Sequence, residues 1–231
     1  MKLLSTGNPK LMKGEKLGYL SFVLHLAPAD LSGKEVCPKR TAGCTAACLN
    51  TAGRGGMFKK GETTNVIQQA RIRKTKLFFE NREQFIADLE ADIRLGIKQA
   101  EKKNMIPCFR LNGTSDLSWE KYEVISGKNI FQMFPEVQFY DYTKVRNRKV
   151  SHLKNYHLTF SKADGNDMDV RLVASAGMNV AAVFKEIPAT YIGRPVINGD
   201  ETDLRFLDPK GVIVGLKAKG KAKKDTTGFV I

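Results

Sequence analysis

The chain has 231 residues, with 38 Lys and Arg side chains against 24 Asp and Glu side chains, which gives a formal net charge of +14 at neutral pH. Hydrophobic residues make up 42% of the sequence, close to the average for globular proteins, so the chain is not a disordered polycation. Its longest apolar run, at 19–26, is far shorter than the roughly 20 residues of a membrane-spanning helix. We therefore expect no membrane partner and a single α/β domain over residues 1–231.

The first ten residues lack the continuous apolar region and the small-residue cleavage site of a secretory signal. We therefore expect a cytoplasmic protein, in which thiols stay reduced and structural disulfides are rare. The sequence has four cysteines, and three of them lie within twelve residues. That spacing calls for an explanation other than disulfide pairing.

The first predicted strand covers residues 19–26, and a long loop rich in Gly, Ala and Cys follows at 27–61. A helix is predicted over about 64–79. Asn81 can cap the next helix, with Gln84 as the reciprocal partner of a capping box. Apolar residues then recur at helical spacing from Phe85 to Ala100, so this helix is expected to cover a sheet with one face.

The rest of the chain alternates short apolar segments with polar residues. Candidate strands lie at 106–111, 137–140, 156–160, 172–174, 182–184, 196–197 and 212–216, and a basic tail follows at 217–231. Strands separated by helices or by crossover-length segments predict an α/β sheet of six or seven mostly parallel strands. Polar residues follow several of these strands, which favours a functional site at the carboxyl edge, although any one polar cluster is equally explained by turn formation.

The sharpest chemical signal is the run Cys37-Pro38-x5-Cys44-x3-Cys48. In a helical turn, Cys44 and Cys48 face the same side, and Pro38 and Gly43 can bring Cys37 round to them. Three converging thiolates form a metal site, and these soft ligands suit an iron–sulfur cluster or zinc. The alternative is that these small side chains merely pack in the core.

Structural zinc usually takes four protein ligands in two close pairs, and the second pair is missing here. The sequence therefore favours a [4Fe-4S] cluster on Cys37, Cys44 and Cys48, with structural zinc as the alternative metal. Cys108 lies inside the second large strand and is expected to be a core residue. His25 is the other possible fourth ligand, although a histidine in a strand more often hydrogen-bonds within the core. With three thiolates only, one iron stays open, and oxidation is expected to give a [3Fe-4S] species.

This arrangement resembles the radical S-adenosylmethionine enzymes. They are partial (β/α) barrels with three cluster cysteines after the first strand and a Gly-rich segment after the second, which holds the amino group of S-adenosylmethionine. The cosubstrate segment would be Asn112, Gly113, Thr114, Ser115 and Asp116. The resemblance implies a radical SAM-like partial barrel. The spacing departs from the usual C-x3-C-x2-C, and cluster binding tolerates that change better than S-adenosylmethionine chemistry does.

A closer resemblance covers most of the chain. The three-cysteine run, the segment at 109–116 with Trp119 and Glu120, and the segments at 139–144 and 155–161 are similar to the bacteriophage gene product 88 family. The resemblance implies a phage source, hence the host cytoplasm, and a three-cysteine site. It supplies no reaction.

Basic runs at 71–76, 144–149 and 217–224 favour a second function, binding of nucleic acid or a ribonucleoprotein. Tyr140, Tyr142 and Tyr156 lie near the second run and could stack on bases. In this alternative the cluster only stabilises a binding module without catalysis. A solvated, solubilising surface explains the same runs equally well. Because the last run is remote in sequence from the cysteine loop, substitutions in it are expected to leave a cluster unchanged.

Overall fold

The computed structural model describes residues 1–7 and 9–231, which form an α/β fold around one large sheet. The strands are β1 (Leu4–Ser5), β2 (Tyr19–Leu24), β3 (Ile106–Arg110), β4 (Glu123–Ile125), β5 (Lys128–Asn129), β6 (Gln138–Thr143), β7 (Tyr156–Ser161), β8 (Val180–Phe184), β9 (Thr190–Tyr191), β10 (Arg194–Asn198) and β11 (Ile213–Lys217). The helices are α1 (Pro9–Glu15), α2 (Ala42–Ala46), α3 (Val66–Glu80), α4 (Arg82–Lys102), α5 (Ile130–Met133) and α6 (Asp167–Ser175). No helix in the described residues is long and apolar enough to cross a membrane.

The nine-stranded sheet has the order β1-β2-β3-β6-β7-β8-β11-β10-β9. Every pairing from β2 across to β10 is parallel, and only the edge strands β1 and β9 pair antiparallel. The predicted α/β class with a mostly parallel sheet is therefore confirmed. From β2 to β8 the strands of the sheet follow one another in chain order, whereas β4 and β5 form a separate hairpin. The two edge strands do not pair with each other, so the described sheet is open.

Two capped helices, α3 and α4, follow the cysteine loop close to the predicted positions. Asn65 caps α3 by accepting from the backbone N–H groups of Ile67 and Gln68. Asn81 caps α4 by accepting from the N–H of Gln84 at 3.1 Å. The predicted reciprocal bond of the capping box is not formed, because the Asn81 N–H donates to the Leu77 carbonyl at 2.9 Å instead.

One predicted strand, at 172–174, is wrong, since these residues belong to α6. The apolar residues Val170, Val173 and Ala174 are buried at positions i, i+3 and i+4, which is helical spacing. Asp167 and Asp169 in the first turn favour the helix through its dipole. A segment of three apolar residues does not distinguish the helical period from the strand period. The pattern over the whole of α6 does distinguish them.

The large sheet has one apolar face and one polar face. Phe22, Phe109 and Phe139 lie on the apolar face, with the rings of Phe22 and Phe109 stacked 5.1 Å apart, and α4 packs across them. Side chains alternate along each strand, so the register places other residues on the opposite face. This polar face carries Ser21, Cys108, Arg110, Tyr140, Tyr142 and His157.

Gly96 in α4 allows the helix to approach the sheet closely. A Cβ atom at this position would lie 3.0 Å from the Phe109 ring and 3.2 Å from the Phe22 ring. We expect Gly96→Val to lower the free energy of unfolding by about 1–3 kcal/mol, because overpacking forces these rings to move. Urea unfolding measures the change. Lys98→Val, at an exposed position of the same helix, is the control and should change stability much less.

Candidate metal centre at the carboxyl edge of the sheet

Cys37 lies where the loops after β2 and β3 meet. Its sulfur accepts a hydrogen bond from the N–H of Ala29 at 3.4 Å and lies 3.8 Å from the carbonyl oxygen of Thr114. Thr114 also bonds the first loop, since its hydroxyl donates to the Leu26 carbonyl at 2.6 Å. Outside this contact, Cys37 borders an open surface depression of about 690 Å³.

Cys44 lies in the short helix α2, which is held by Asp164 from the loop after β7. The Asp164 carboxylate accepts the hydroxyl of Thr41, the N–H of Gly43 at 3.0 Å and the N–H of Cys44 at 3.2 Å. These bonds satisfy donors that the first turn of a helix otherwise leaves without partners. The Cys44 backbone is therefore positioned by a residue 120 positions further along the chain.

Cys48 caps the short 3-10 helix Leu49–Thr51. Its sulfur accepts from the N–H of Asn50 at 3.5 Å. The side chain of Asn50 in turn accepts from Arg71 of α3 at 2.5 Å. Helix α3 therefore fixes the end of the cysteine run.

Lys144, the first residue after β6, is the common neighbour of the three cysteines. Its ammonium group lies near enough to Cys44, Cys37 and Cys48 to interact electrostatically with each of them. Burial opposes the charged amine, but Cys44, Asp116 and Cys37 outweigh it, so the pKa of Lys144 lies above its ordinary value. Lys144 is half-buried, as are the three cysteines, so a partly exposed cation lies among partly exposed thiols.

Asp116 connects three of the loops at this edge. Its N–H donates to the carbonyl of Val36, next to Cys37, at 2.8 Å. Its carboxylate accepts the N–H of Lys144 at 2.7 Å and lies 3.8 Å from the guanidinium of Arg148. The loops after β2, β3 and β6 are thus held together by one side chain and its backbone.

The segment predicted to hold a cosubstrate, 112–116, lies at this edge, and most of its polar side-chain atoms bond other parts of the protein. Asn112 is buried, and its carbonyl oxygen accepts from Ser115, Leu117 and Trp119. Its amide group donates to the Leu117 carbonyl and to Asp141. These bonds give Asn112 a structural role in the turn. Gly113, Thr114 and Ser115 are the half-buried members of the segment, whereas Asp116 is buried.

Gly113 packs tightly against the end of β2. A Cβ atom at this position would lie 2.5 Å from the Val23 side chain and 2.9 Å from the ring of His25. Burial lowers the pKa of His25 most, and the nearby cations Arg71, Arg110 and Lys74 lower it further, to about 3. No cysteine is among the groups that shift it, so its surroundings are those of a neutral histidine beside cations.

Two further facts bear on the predicted ligand set. In residues 1–7 and 9–231, no three Cys, His, Asp or Glu side chains lie close enough to hold one metal ion. Cys108 is fully buried, as expected, and its sulfur contacts the Ser21 hydroxyl at 3.1 Å within the sheet. Burial raises the pKa of Cys108 to about 12, of Cys37 to about 11, and of Cys48 above its ordinary value.

The predicted basic tail contacts the cysteine loop. Val230 pairs with Val183 of β8, and Ala47 packs against Ala222 and Val230. A Cβ atom at Gly43 would lie 2.0 Å from the Thr227 hydroxyl, so the tail passes directly over α2. The expected independence of the tail and the cysteine site is therefore not supported. Its lysines at 217, 219, 221, 223 and 224 remain exposed.

The other two basic runs are used partly inside the protein. Lys74 donates to the Leu3 carbonyl at 2.6 Å, and Arg71 bonds Asn50. In the second run, Lys144 faces the cysteines, and Arg148 has a side chain only 2% exposed and pairs with Glu120. The basic runs therefore form less basic surface than the sequence predicts. Nucleic-acid binding stays a prediction.

These features define an α/β protein with a three-cysteine loop at the carboxyl edge of a mostly parallel sheet. The gene product 88 family model matches residues 2–231, so the chain belongs to the gene product 88 family. Neither a curated protein nor a solved structure matches the chain. The resemblance to radical S-adenosylmethionine enzymes therefore gains no support from these comparisons.

Asp141, buried beneath this edge, supports the turn after β3. It accepts from the N–H of Asn112 at 2.7 Å and from the hydroxyl of Tyr156 at 3.0 Å. Burial dominates and raises the pKa of Asp141 to about 7, although Arg110 and the hydrogen bonds favour the charged form. This burial could not be predicted from the sequence, because Asp141 stands among polar residues at the end of a predicted strand.

A carboxyl group with a raised pKa in the folded state stabilises the protein most when it is protonated. The stabilisation is present below the unfolded pKa of about 4 and is lost as the pH rises through about 7. Between pH 4 and 8, the unfolding free energy of the wild type should therefore fall relative to that of Asp141→Asn, by up to about 4 kcal/mol. Urea unfolding across this range measures the difference, and parallel pH profiles would contradict the assignment.

Proposed function

We propose that Cys37, Cys44 and Cys48 bind an iron–sulfur cluster at the carboxyl edge of the sheet, as a [4Fe-4S] cluster with three protein thiolates. The observation that carries the proposal is their shared neighbour, Lys144, which interacts with all three sulfurs. Separate loops and elements fix each cysteine in place. The three cysteines are only half-buried and have a cation among them, which differs from cysteines that merely pack in the core.

The donor set fits a cluster better than a single zinc ion. Ligands of one zinc ion all lie about 2.3 Å or less from it, so they must lie close together, and no described set of three does so. Thiolates of a cluster bind different irons and are spread further apart. Cys108 is engaged with Ser21 inside the sheet, and His25 is surrounded by cations. Both are poor candidates for a fourth ligand.

The charges around the cysteines also fit a metal centre. Burial raises the pKa values of the Cys37 and Cys48 thiols, so the charged thiolates are disfavoured without a cation. Metal ligation requires thiolates, and iron supplies most of the compensating charge. Lys144 supplies more, and a cation next to a cluster is one of the features that set its reduction potential.

A finer proposal concerns the open iron. A cluster with three protein thiolates supplies redox chemistry and one iron that can bind a small molecule. Gly113 and Thr114 border this edge, where a cosubstrate such as S-adenosylmethionine would be held by backbone groups. From β2 to β8 the parallel strands follow chain order, as they do in (β/α) barrels, whereas β11 precedes β10 in the sheet. Supplying S-adenosylmethionine and a reductant and assaying 5′-deoxyadenosine tests this proposal.

The cluster itself is tested by substituting the cysteines one at a time. Protein purified without oxygen should be brown and should contain iron and acid-labile sulfide. Serine at Cys37, Cys44 or Cys48 should remove both, because an alcohol is a poor ligand for cluster iron. Cys108→Ser is the matched control and should keep them. Stoichiometric zinc without sulfide would falsify the proposal, and loss of the cluster in the control would identify Cys108 as a ligand.

The number of protein ligands makes a separate prediction. Because one iron lacks a thiolate, brief exposure to air should release it and leave a [3Fe-4S] species that electron paramagnetic resonance detects. A cluster that stays unchanged in air would point to a fourth protein ligand. Comparison with His25→Ala, in which the remaining histidine candidate is removed, decides whether that ligand is His25.

A further inference from the structure

Unpartnered polar atoms are concentrated on the polar face of the sheet. In the part of the chain that the structure describes, ten buried side-chain nitrogen and oxygen atoms lack a hydrogen-bond partner. Three of these belong to one group of residues and are Arg110 Nε, Tyr142 Oη and Arg205 Nε, whereas Arg205 Nη1 and Asp208 Oδ2 face each other in an ion pair at 3.3 Å. Native proteins rarely leave such atoms without a partner, so this concentration indicates a missing one.

These residues are neighbours in space. The guanidinium of Arg110 lies over the ring of Tyr142, 4.6 Å from its centre. Arg205, whose side chain is 1% exposed, pairs with Asp208 at 3.3 Å. Arg205 and Asp208 both act electrostatically on Tyr142. The short 3-10 helix Arg205–Leu207 packs against β6 and β7, which brings Arg205 over the polar face.

The unpartnered atoms of this group are hydrogen-bond donors, so the partner that would satisfy them is an acceptor. The Nε atoms of Arg110 and Arg205 can only donate, and the Tyr142 hydroxyl can donate as well. Asp208 Oδ2 is the one acceptor, and it already faces Arg205 across their ion pair. A group with several oxygen acceptors and no hydrogens of its own matches this set.

The charges of the cluster point to the same kind of group. Lys10, Arg110 and Arg205 carry three positive charges, whereas Asp203 and Asp208 carry two negative ones, which leaves 3 − 2 = +1. Asp203 is already engaged, at 3.0 Å from Arg110 and 3.4 Å from Lys10. The next carboxylate, Asp200, pairs with Lys219 at 2.6 Å.

We infer that the polar face binds a small oxyanion, a carboxylate or phosphate group of a small molecule, through Arg110, Tyr142 and Arg205. Arg110 and Tyr142 are half-buried rather than enclosed, as are His25 and His157 on the same face. Parts of the Arg110 and Tyr142 side chains are therefore open to solvent, although the unpartnered atoms themselves are covered. The site does not depend on a cluster, and it can be tested on protein without metal.

Thermal unfolding of the full chain in phosphate, acetate and chloride at matched ionic strength tests the site. The chloride arm removes the general effect of anions on a protein of charge +14. Phosphate or acetate should raise the wild-type melting temperature in a saturable way beyond chloride. The arm with the tighter apparent affinity identifies the class of oxyanion.

Tyr142→Phe removes one hydroxyl and little else. It should weaken the apparent oxyanion affinity about tenfold, the usual effect of losing a hydrogen bond to a charged group. Tyr156→Phe is the matched control, because that hydroxyl is bonded to Asp141 and Arg148. The control should lose stability and keep the wild-type affinity. The proposal fails if the wild type shows no saturable gain over chloride, which would mean that water partners these atoms, or if Tyr142→Phe binds as tightly as the wild type.

Discussion

The Asp116 carboxyl group, with its own backbone N–H, joins the loops after β2, β3 and β6. Parallel strands bring the starts of these loops to one edge, but the sheet provides no hydrogen bonds for the chain beyond the strand ends. The polar groups of these loops must therefore form hydrogen bonds with one another. Asp116 forms hydrogen bonds with both Val36 and Lys144. Asp164 accepts hydrogen bonds from the backbone of α2. The cysteines occupy positions that these carboxylates define.

The parts of the fold that depend on local pattern could be predicted from the sequence. The four strands β2, β3, β6 and β7 and the helix after Asn81 lie close to the expected positions, because apolar periodicity and a capping residue are local signals. The strand predicted at 172–174 was wrong for a related reason, since three residues are too few to show a helical or a strand period. Closure of the sheet is a long-range property, and no local pattern reports it.

Some features of the candidate site could likewise be predicted from the sequence, and others could not. The spacing of the three cysteines was visible in the sequence, whereas the groups that hold them were not. Lys144 stood inside a basic run and Asp164 followed a strand like many turn residues, and nothing local separates such positions from surface ones. Alanines at 218 and 222 alternate with lysines, which concealed a packed segment within a basic composition. Burial of charge requires partners from distant segments, and only the folded chain reveals them.

The contact between α2 and the last residues of the described chain has a consequence for biosynthesis. Gly43 lies against Thr227, and Ala47 against Val230, so these contacts join residues about 180 positions apart. A ribosome that has made the cysteine loop must still add those residues before the loop can be covered. During that interval α2 lacks its contacts with Thr227 and Val230. The cysteine loop therefore completes its packing only after residues 227–230 have been made.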